Sequence, residues 1–264
     1  MSKVKSYAAL QADKPLHPHD INRRDINPDD VNIDILYCGV CHSDIHMARN
    51  EWNNTSIYPM VPGHEIIGIV KEIGSSVTKF KVGDNVGVGV YVDACEKCDN
   101  CNSGKDHYCE EGIVLTYNSY EYGTKNITYG GYSKSIVVKE NYVIKIPSGM
   151  DMGKVAPLLC AGITTYSPLR HFKINSHHKV GIAGLGGLGH MGLKFASSFG
   201  ADVVVFSTSD SKRDEAFEMG ANHFVNVNNS KDVRKHMNSC DYILDTVSAN
   251  RDMAQVFSFL KTDG

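Results

Sequence analysis

The sequence predicts an α/β protein in which a β-rich, barrel-like domain precedes a doubly wound parallel sheet. Three observations support this fold class. Short, β-branched apolar runs separated by glycines occupy residues 31–146. From residue 179 onward, short apolar runs alternate with segments of helical periodicity, and a glycine-rich turn joins the first run to its helix. The change of period near residue 150 predicts two domains, residues 1–150 and 151–264.

Each domain has its own set of predicted elements. In the first domain the predicted strands are residues 31–37, 66–73, 84–92, 132–138 and 142–146. In the second domain the predicted strands are residues 179–183, 202–206, 223–225 and 242–245, and the predicted helices include residues 188–199 and 211–219. A complete dinucleotide-binding sheet has about six strands. We therefore expect the second sheet to be incomplete and the chain to be truncated at its C-terminus.

The composition excludes several classes of partner. Of the 264 residues, 42% are hydrophobic and 22% are charged, which is typical of a soluble globular chain. The net charge of -3 provides no positive field for nucleic acid or for anionic lipid. No apolar run approaches the ~20 residues of a membrane span, and the N-terminus lacks the apolar core of a signal peptide. These features predict a cytoplasmic protein without a nucleic-acid or membrane partner.

The glycine-rich turn has the pattern G-x-G-x-x-G, formed by Gly184, Gly186 and Gly189. Gly187 and Leu188 complete the turn between an apolar strand and an amphipathic helix. This is the context in which the motif binds the pyrophosphate of a dinucleotide at a helix N-terminus. The sequence therefore predicts a Rossmann fold with a bound nicotinamide cofactor.

The residues after the second strand of this domain favour NADP over NAD. An NAD-binding site places a carboxylate about 20 residues beyond the glycine turn. This sequence has Ser207, Thr208 and Ser209 there, followed by Lys212 and Arg213. Hydroxyl donors and cations suit a 2'-phosphate, which a carboxylate would repel. The alternative is that the two cations are only the solvated beginning of a helix.

Four of the eight cysteines lie within fifteen residues, in a lobe of about residues 93–112. They are Cys95, Cys98, Cys101 and Cys109. Short loops of this spacing supply the four thiolates of a closed tetrahedral zinc site, which leaves no open position for substrate. The lobe therefore predicts a structural zinc, and a four-cysteine iron–sulfur cluster is the alternative.

Three further candidate ligands, Cys41, His64 and Cys160, are dispersed along the chain and have no spacing signature. A lone cysteine or histidine more often serves packing than ligation. Their order relative to the other motifs is informative, however. The run CHSDIH at 41–46, the run GHEIIGIV at 63–70, the cysteine lobe and the glycine turn follow one another along the chain.

In this order of motifs the sequence resembles the zinc-dependent medium-chain alcohol dehydrogenases, and within them the NADP-dependent cinnamyl alcohol dehydrogenase branch. The likeness to the branch rests on residues 51–52, 116–118, 130–133 and 155–169. The resemblance covers essentially the whole chain. It implies that the first domain is a GroES-like catalytic domain and that the second is the Rossmann NADP-binding domain.

The resemblance also implies two zinc ions per chain. The catalytic zinc would be held by Cys41, His64 and Cys160, with Glu65 as an occasional fourth ligand. The cysteine lobe would hold the structural zinc.

Roles for neighbouring side chains follow from the same resemblance. Asp44 would orient a zinc ligand, Ser43 and His46 would pass the alcohol proton to solvent, His42 would lie near the cofactor pyrophosphate, and Trp52 would line the substrate pocket. Alternatively, the two histidines are surface residues of one helical turn and the tryptophan is a core aromatic.

The implied activity is hydride transfer between NADP(H) and aromatic or aliphatic alcohols and aldehydes, with a homodimer as the full-length form. A zinc-free quinone reductase of the same superfold is disfavoured because the three dispersed ligands are present. A catalytically inactive zinc- and nucleotide-binding fragment remains the other alternative.

Overall fold

The chain divides between Cys160 and Ala161 into two units in the computed structural model, which describes residues 1–264. The boundary predicted after residue 150 lies ten residues earlier. The intervening segment contains a 3-10 turn, Ala156–Leu159, whose apolar side chains pack with Ile67 and Ile146 of the first unit. Burial of these apolar groups joins the segment to the first unit.

The first unit is built from antiparallel strands and three short helices. Its strands are Ser2–Ala8 (β1), His17–Arg23 (β2), Asp30–Cys38 (β3), Ile66–Ile73 (β4), Asn85–Val88 (β5), Tyr91–Asp93 (β6), Val114–Leu115 (β7), Ser135–Lys139 (β8) and Val143–Lys145 (β9). Its helices are His42–Ala48 (α1), Asp99–Asn102 (α2) and Met152–Val155 (α3). The main sheet has the order β8-β3-β4-β5-β9, and β1-β2 and β6-β7 form two further pairs.

Alternation along these strands produces the core of the first unit. Val31 and Ile33 of β3 and Val86 and Val88 of β5 are fully buried on one face of the sheet. The predicted strand 66–73 is observed, whereas the predicted strand 84–92 is interrupted at residues 89–90 and becomes β5 and β6. Strands β1 and β2 were not predicted. In β2 only two residues are buried, so the strand lacks an apolar signal.

The second unit is a parallel sheet with helices between its strands. The strands are Lys179–Ala183 (β10), Asp202–Ser207 (β11), His223–Asn226 (β12) and Tyr242–Asp245 (β13). The helices are Ala161–His171 (α4), Gly187–Ser198 (α5), Arg213–Glu218 (α6), Ser230–His236 (α7) and Met253–Phe257 (α8). All four predicted strands are observed, in the order β12-β11-β10-β13.

The order of this sheet reverses at β10. The next strands along the chain, β11 and β12, lie on one side of β10, and β13 lies on the other. The carboxyl ends of β10 and β13 therefore form the topological switch point of the sheet, and the crevice at this point is where open α/β sheets bind ligands. Val180, Ile182 and Val203 are buried beneath it. No helix of the protein combines the length and the apolar character needed to cross a membrane.

Arg23, at the end of β2, is a buried cation without a carboxylate partner. It is 8% exposed, and burial lowers its pKa to about 9. Its guanidinium donates hydrogen bonds to the backbone oxygens of Tyr129, Gly130 and Ser135 and to Ser133 Oγ, at 2.6 to 3.0 Å. The N–H groups of the guanidinium thus provide hydrogen bonds to four buried or partly buried oxygen atoms.

Replacing Arg23 with lysine is expected to lower the free energy of unfolding by about 2 kcal/mol, because one ammonium leaves buried acceptors unpaired. Urea unfolding measures the change. The control is Arg49→Lys, whose side chain is 65% exposed and pairs only weakly with Glu51. A loss no larger than that of the control would contradict the assigned role.

Candidate active site

Four candidate metal ligands of the first unit converge in space. The ligand atoms of Cys41, His64, Glu65 and Cys160 all lie within 4.8 Å of one another, and the two sulfurs are 3.8 Å apart. Cys41 precedes the first residue of α1, His64 and Glu65 precede β4, and Cys160 follows the 3-10 turn. Gly63 has a φ of +104°, a conformation that favours glycine, and it turns the chain immediately before His64.

Asp44 determines the orientation of His64. The Asp44 side chain is 2% exposed, and its Oδ1 accepts a hydrogen bond from His64 Nδ1 at 3.0 Å. This leaves Nε2 of the imidazole available as a ligand atom, as in most metal-bound histidines. Burial opposes charge on the imidazole, but hydrogen bonds to Asp44 and Cys41 raise the pKa of His64 to about 10.

The two thiols and the carboxyl of this cluster concentrate negative charge. The hydrogen bond from Cys160, assisted by His64, lowers the pKa of Cys41 to about 3, while the resulting thiolate and burial raise that of Cys160. Burial and the Cys41 charge raise the pKa of Glu65 to about 7. A divalent cation would relieve this repulsion. Two thiolates, an imidazole and a carboxylate are zinc ligands, so the donor set fits Zn²⁺.

The cysteine lobe brings its four thiols together independently of the first cluster. The sulfurs of Cys95, Cys98, Cys101 and Cys109 also lie within 4.8 Å of one another. The backbone N–H of Cys95 bonds to the sulfur of Cys109 and lowers its pKa to about 6. Tyr122 places its hydroxyl 3.7 Å from the same sulfur. This donor set fits a tetrahedral zinc and offers no open position.

The side chains expected to relay protons lie on and beside α1. Hydrogen bonds from the side chain and backbone of Ser43 help to lower the pKa of Cys41. His46 Nδ1 lies 2.5 Å from Glu51 Oε2. The ring of His46 stacks on His42 and on Trp52, with centroids 5.6 and 5.5 Å away.

Trp52 is 46% exposed. The alternative interpretation of this residue as a core aromatic is therefore wrong.

The glycine turn lies at the crevice of the second unit. Gly184 has a φ of +84°, and a Cβ at Gly189 would lie 2.0 Å from the oxygen of Gly184. By contrast, nothing lies within 4 Å of a Cβ built at Gly186 or Gly187, so the backbone at the beginning of α5 is open to a ligand. Thr246, after β13, closes the other side by donating its hydroxyl to the oxygen of Ala183 at 2.9 Å.

Beyond β11 the two predicted cations have different surroundings. Lys212 Nζ donates to the backbone oxygen of Leu185 in the glycine turn, at 2.7 Å. Arg213 instead pairs with Asp210, and its guanidinium lies 4.6 Å above the ring centre of Phe224. Lys212 is therefore the cation that reaches the turn. Ser207, Thr208 and Ser209 form the bend that leads to it.

Two family models match the chain. The alcohol dehydrogenase GroES-like domain matches residues 27–148, and the zinc-binding dehydrogenase model matches residues 187–264. Together they cover most of the chain, including Cys41, His64, Glu65 and the cysteine lobe, and the second match begins at Gly187 within the glycine turn. The chain belongs to the zinc-binding alcohol dehydrogenases. The resemblance stated from the motifs is confirmed, and so is the fold class, a GroES-like β-rich domain followed by a parallel sheet.

Similar proteins share extended sequence with this dehydrogenase. It is 49% identical to aldehyde reductase YahK of Escherichia coli, over 99% of this chain and 75% of that protein. It is 50% identical to NADP-dependent alcohol dehydrogenase C 1 of Mycolicibacterium smegmatis, over 100% of this chain and 75% of that protein. The solved structure of a cinnamyl alcohol dehydrogenase from Helicobacter pylori, complexed with NADP(H), superposes with a TM-score of 0.92 at 43% identity. That match covers 99% of this chain and 74% of the solved one.

Sequence reasoning assigned no role to several residues that the dehydrogenase places at these sites. They are Glu51, Tyr117, Tyr132 and Thr246. Tyr117 is buried with its ring centre 5.9 Å from that of His64. Glu51, Tyr117 and Tyr132 lie in the runs that carried the likeness to the cinnamyl branch, and that was the available signal. Thr246 follows the strand beside β10, which only the sheet order reveals.

Proposed function

We propose that this dehydrogenase transfers hydride between NADP(H) and aromatic or aliphatic aldehydes and alcohols. The observation that carries the proposal is the convergence of Cys41, His64, Glu65 and Cys160 beside the buried Asp44. The names of the relatives support it: one is an aldehyde reductase and another an NADP-dependent alcohol dehydrogenase. A zinc-free reductase would have no use for this set of ligands.

The first unit is the catalytic domain in this proposal. Cys41, His64 and Cys160 hold the catalytic zinc, with Glu65 as an occasional fourth ligand, and the cysteine lobe holds the structural zinc. When bound at the first cluster, zinc supplies Lewis acidity toward a carbonyl oxygen. Asp44 keeps the His64 ring in the tautomer and orientation that ligation requires.

Proton transfer falls to residues of α1. The Ser43 hydroxyl donates a proton to the substrate oxygen during reduction, and His46 replaces it from solvent. The two residues are three apart on one helix, so they share a face. Glu51 accepts the Nδ1 proton of His46 and leaves Nε2 for exchange. His42 and Trp52 stack on His46, and we assign them to the cofactor pyrophosphate and the substrate pocket respectively.

The second unit is the NADP-binding domain in this proposal. The open backbone at Gly186, Gly187 and Leu188 binds the pyrophosphate at the N-terminus of α5, and Gly184 and Gly189 allow the turn. The bend formed by Ser207, Thr208 and Ser209, together with Lys212, binds the 2'-phosphate. The bound cofactor supplies the hydride.

The direct test measures the oxidation of NADPH and NADH by the purified protein with benzaldehyde-type and aliphatic aldehydes, together with zinc content by elemental mass spectrometry. We expect two zinc ions per chain and aldehyde-dependent oxidation of NADPH in preference to NADH. Absence of turnover with every aldehyde at full zinc content would favour the inactive zinc- and nucleotide-binding protein instead.

Lys212→Ala is expected to lower the preference for NADPH over NADH at least tenfold, because one charge-assisted contact with the 2'-phosphate is worth about 1.5–3 kcal/mol. The ratio of kcat/KM values for the two cofactors is the measurement. Lys212→Ala also removes the contact to the backbone oxygen of Leu185. This loss is expected to weaken the binding of NADPH and NADH equally, so that it cancels in the ratio. The control is Lys194→Ala, an exposed lysine of α5. An unchanged ratio would assign Lys212 to the helix surface only.

We also propose a homodimer for the full-length enzyme and a reducing, cytoplasmic environment. All eight cysteines are free thiols, and seven of them lie in the first unit. Six of these belong to the proposed catalytic and structural zinc sites, and both sites require reduced sulfur. The dimer follows from the family resemblance, and light scattering of the full-length enzyme measures its mass.

A further inference from the structure

The carboxylate of Asp44 accepts four hydrogen bonds. Oδ1 accepts from the backbone N–H of Gly63 at 2.9 Å and from His64 Nδ1 at 3.0 Å. Oδ2 accepts from the backbone N–H of Cys41 at 3.0 Å and from the hydroxyl of Tyr132 at 3.2 Å. Three of these donors belong to segments that carry a candidate metal ligand. Tyr132 is the one donor from a segment that carries none.

Close contact between two loops places Tyr132 beside Asp44. Residues 129–133 run against residues 61–63, with hydrogen bonds from Gly130, Gly131 and Tyr132 N–H to backbone oxygens at 2.7, 2.8 and 3.0 Å. A Cβ at Gly130 would lie 2.4 Å from the oxygen of Gly63, and a Cβ at Gly63 would lie 2.8 Å from the Tyr132 ring. Only glycine permits this approach, so the tyrosine ring is held against the turn that presents His64.

Arg23 fixes the same loop from its other side. Its buried guanidinium bonds to the backbone oxygens of Tyr129 and Gly130 and to the hydroxyl of Ser133, which is the residue after Tyr132. The loop is therefore held both by β2 and by the ligand-bearing turn. A hydroxyl mounted on such a loop has little freedom to move away from Asp44.

We propose that Tyr132 is a positioning residue of the catalytic metal site, whose hydroxyl holds Asp44 so that Asp44 in turn holds His64 for ligation. The inference rests on the proposed function, since it requires zinc at the Cys41 cluster. In this arrangement the loop holds the Tyr132 hydroxyl, the hydroxyl holds the carboxylate of Asp44, and the carboxylate holds the imidazole of His64. Mutation of a residue that orients a metal-bound histidine typically lowers metal affinity about ten- to hundredfold.

The test compares zinc release from wild type, Tyr132→Phe and Tyr129→Phe under excess chelator, with the zinc content followed by elemental mass spectrometry. Tyr132→Phe keeps the ring and removes only the hydroxyl. Tyr129→Phe is the matched control, because its hydroxyl lies in the same loop and makes no hydrogen bond in the structure. We expect about tenfold faster release of one zinc from Tyr132→Phe, with unchanged release of the other and an unchanged Tm.

A double-mutant cycle with Asp44→Asn tests whether the tyrosine acts through Asp44. The tenfold effect of Tyr132→Phe is expected to shrink markedly in the Asp44→Asn background. An effect of undiminished size there, wild-type release from Tyr132→Phe, or equal acceleration of both zinc ions would each overturn the proposal. If the wild-type protein held a single zinc ion, the proposed function would fail together with this inference. If it held two and Tyr132→Phe released both at the wild-type rate, only this inference would fail.

Discussion

Cys41→Ser is expected to reduce the zinc content from two ions per chain to one and to lower the rate of aldehyde reduction about a thousandfold. The thiol of Cys41 has the lowest pKa of the four candidate ligands, and its sulfur lies 3.8 Å from that of Cys160. Without its thiolate, one carboxyl, one thiol and one imidazole remain, a weaker set for a borderline-soft ion. Losing the Lewis acid removes several kcal/mol of transition-state stabilisation, and about 1.4 kcal/mol corresponds to each factor of ten.

Cys38→Ser is the matched control for this experiment. Its thiol lies three residues earlier on the same segment, outside the ligand cluster, and burial raises its pKa to about 12. It contacts the backbone oxygen of Gly39, a contact that serine can keep. We expect two zinc ions in this variant. If Cys41→Ser also retained two ions and full activity, the assignment of the catalytic cluster would be wrong.

Gly189→Ala is expected to weaken the binding of NADPH by one to two orders of magnitude. The added Cβ would lie 2.0 Å from the oxygen and 2.9 Å from the carbon of Gly184, both backbone atoms that cannot move without moving the glycine turn. Overpacking of this kind costs about 1–3 kcal/mol, and here it would distort the turn that we propose as the pyrophosphate site. Fluorescence titration of the protein with NADPH measures the dissociation constant.

Gly192→Ala, one turn further along α5, serves as the control. There the one contact shorter than 3.4 Å would be with the end of the Leu244 side chain, at 2.6 Å, and a flexible side chain can adjust. We expect Gly189→Ala and Gly192→Ala to change the Tm by similar small amounts. Only Gly189→Ala is expected to lose affinity for NADPH. Equal NADPH affinities in the two variants would show that the close approach at Gly189 does not shape the cofactor site.

The sequence was sufficient where the signal is local. The cysteine lobe spans fifteen residues, so spacing alone predicted that its four thiols could share one ion. The glycine turn is likewise a contiguous segment whose neighbours are a strand and a helix. Strands Ile66–Ile73 and Lys179–Ala183 were predicted with their observed limits, because their apolar residues become buried.

Strand β2 escaped prediction for the converse reason. It buries only Ile21 and Arg23, and the second of these is a cation that is satisfied by backbone oxygens more than 100 residues away. Its pairing with β1 comes from backbone hydrogen bonds rather than from an apolar pattern. No local count of apolar residues can recognise such a strand.

The sequence by itself determined the two-part α/β architecture, the cysteine lobe and the glycine turn. Through resemblance it also indicated which dispersed residues are candidate metal ligands. Only the tertiary structure brought Cys41 within 3.8 Å of Cys160, 119 residues away, and placed Tyr132 on Asp44 across 88 residues. Local patterns report on contacts between near neighbours in the chain. Contacts between distant segments depend on strand order, loop approach and burial, which arise only when the whole unit folds.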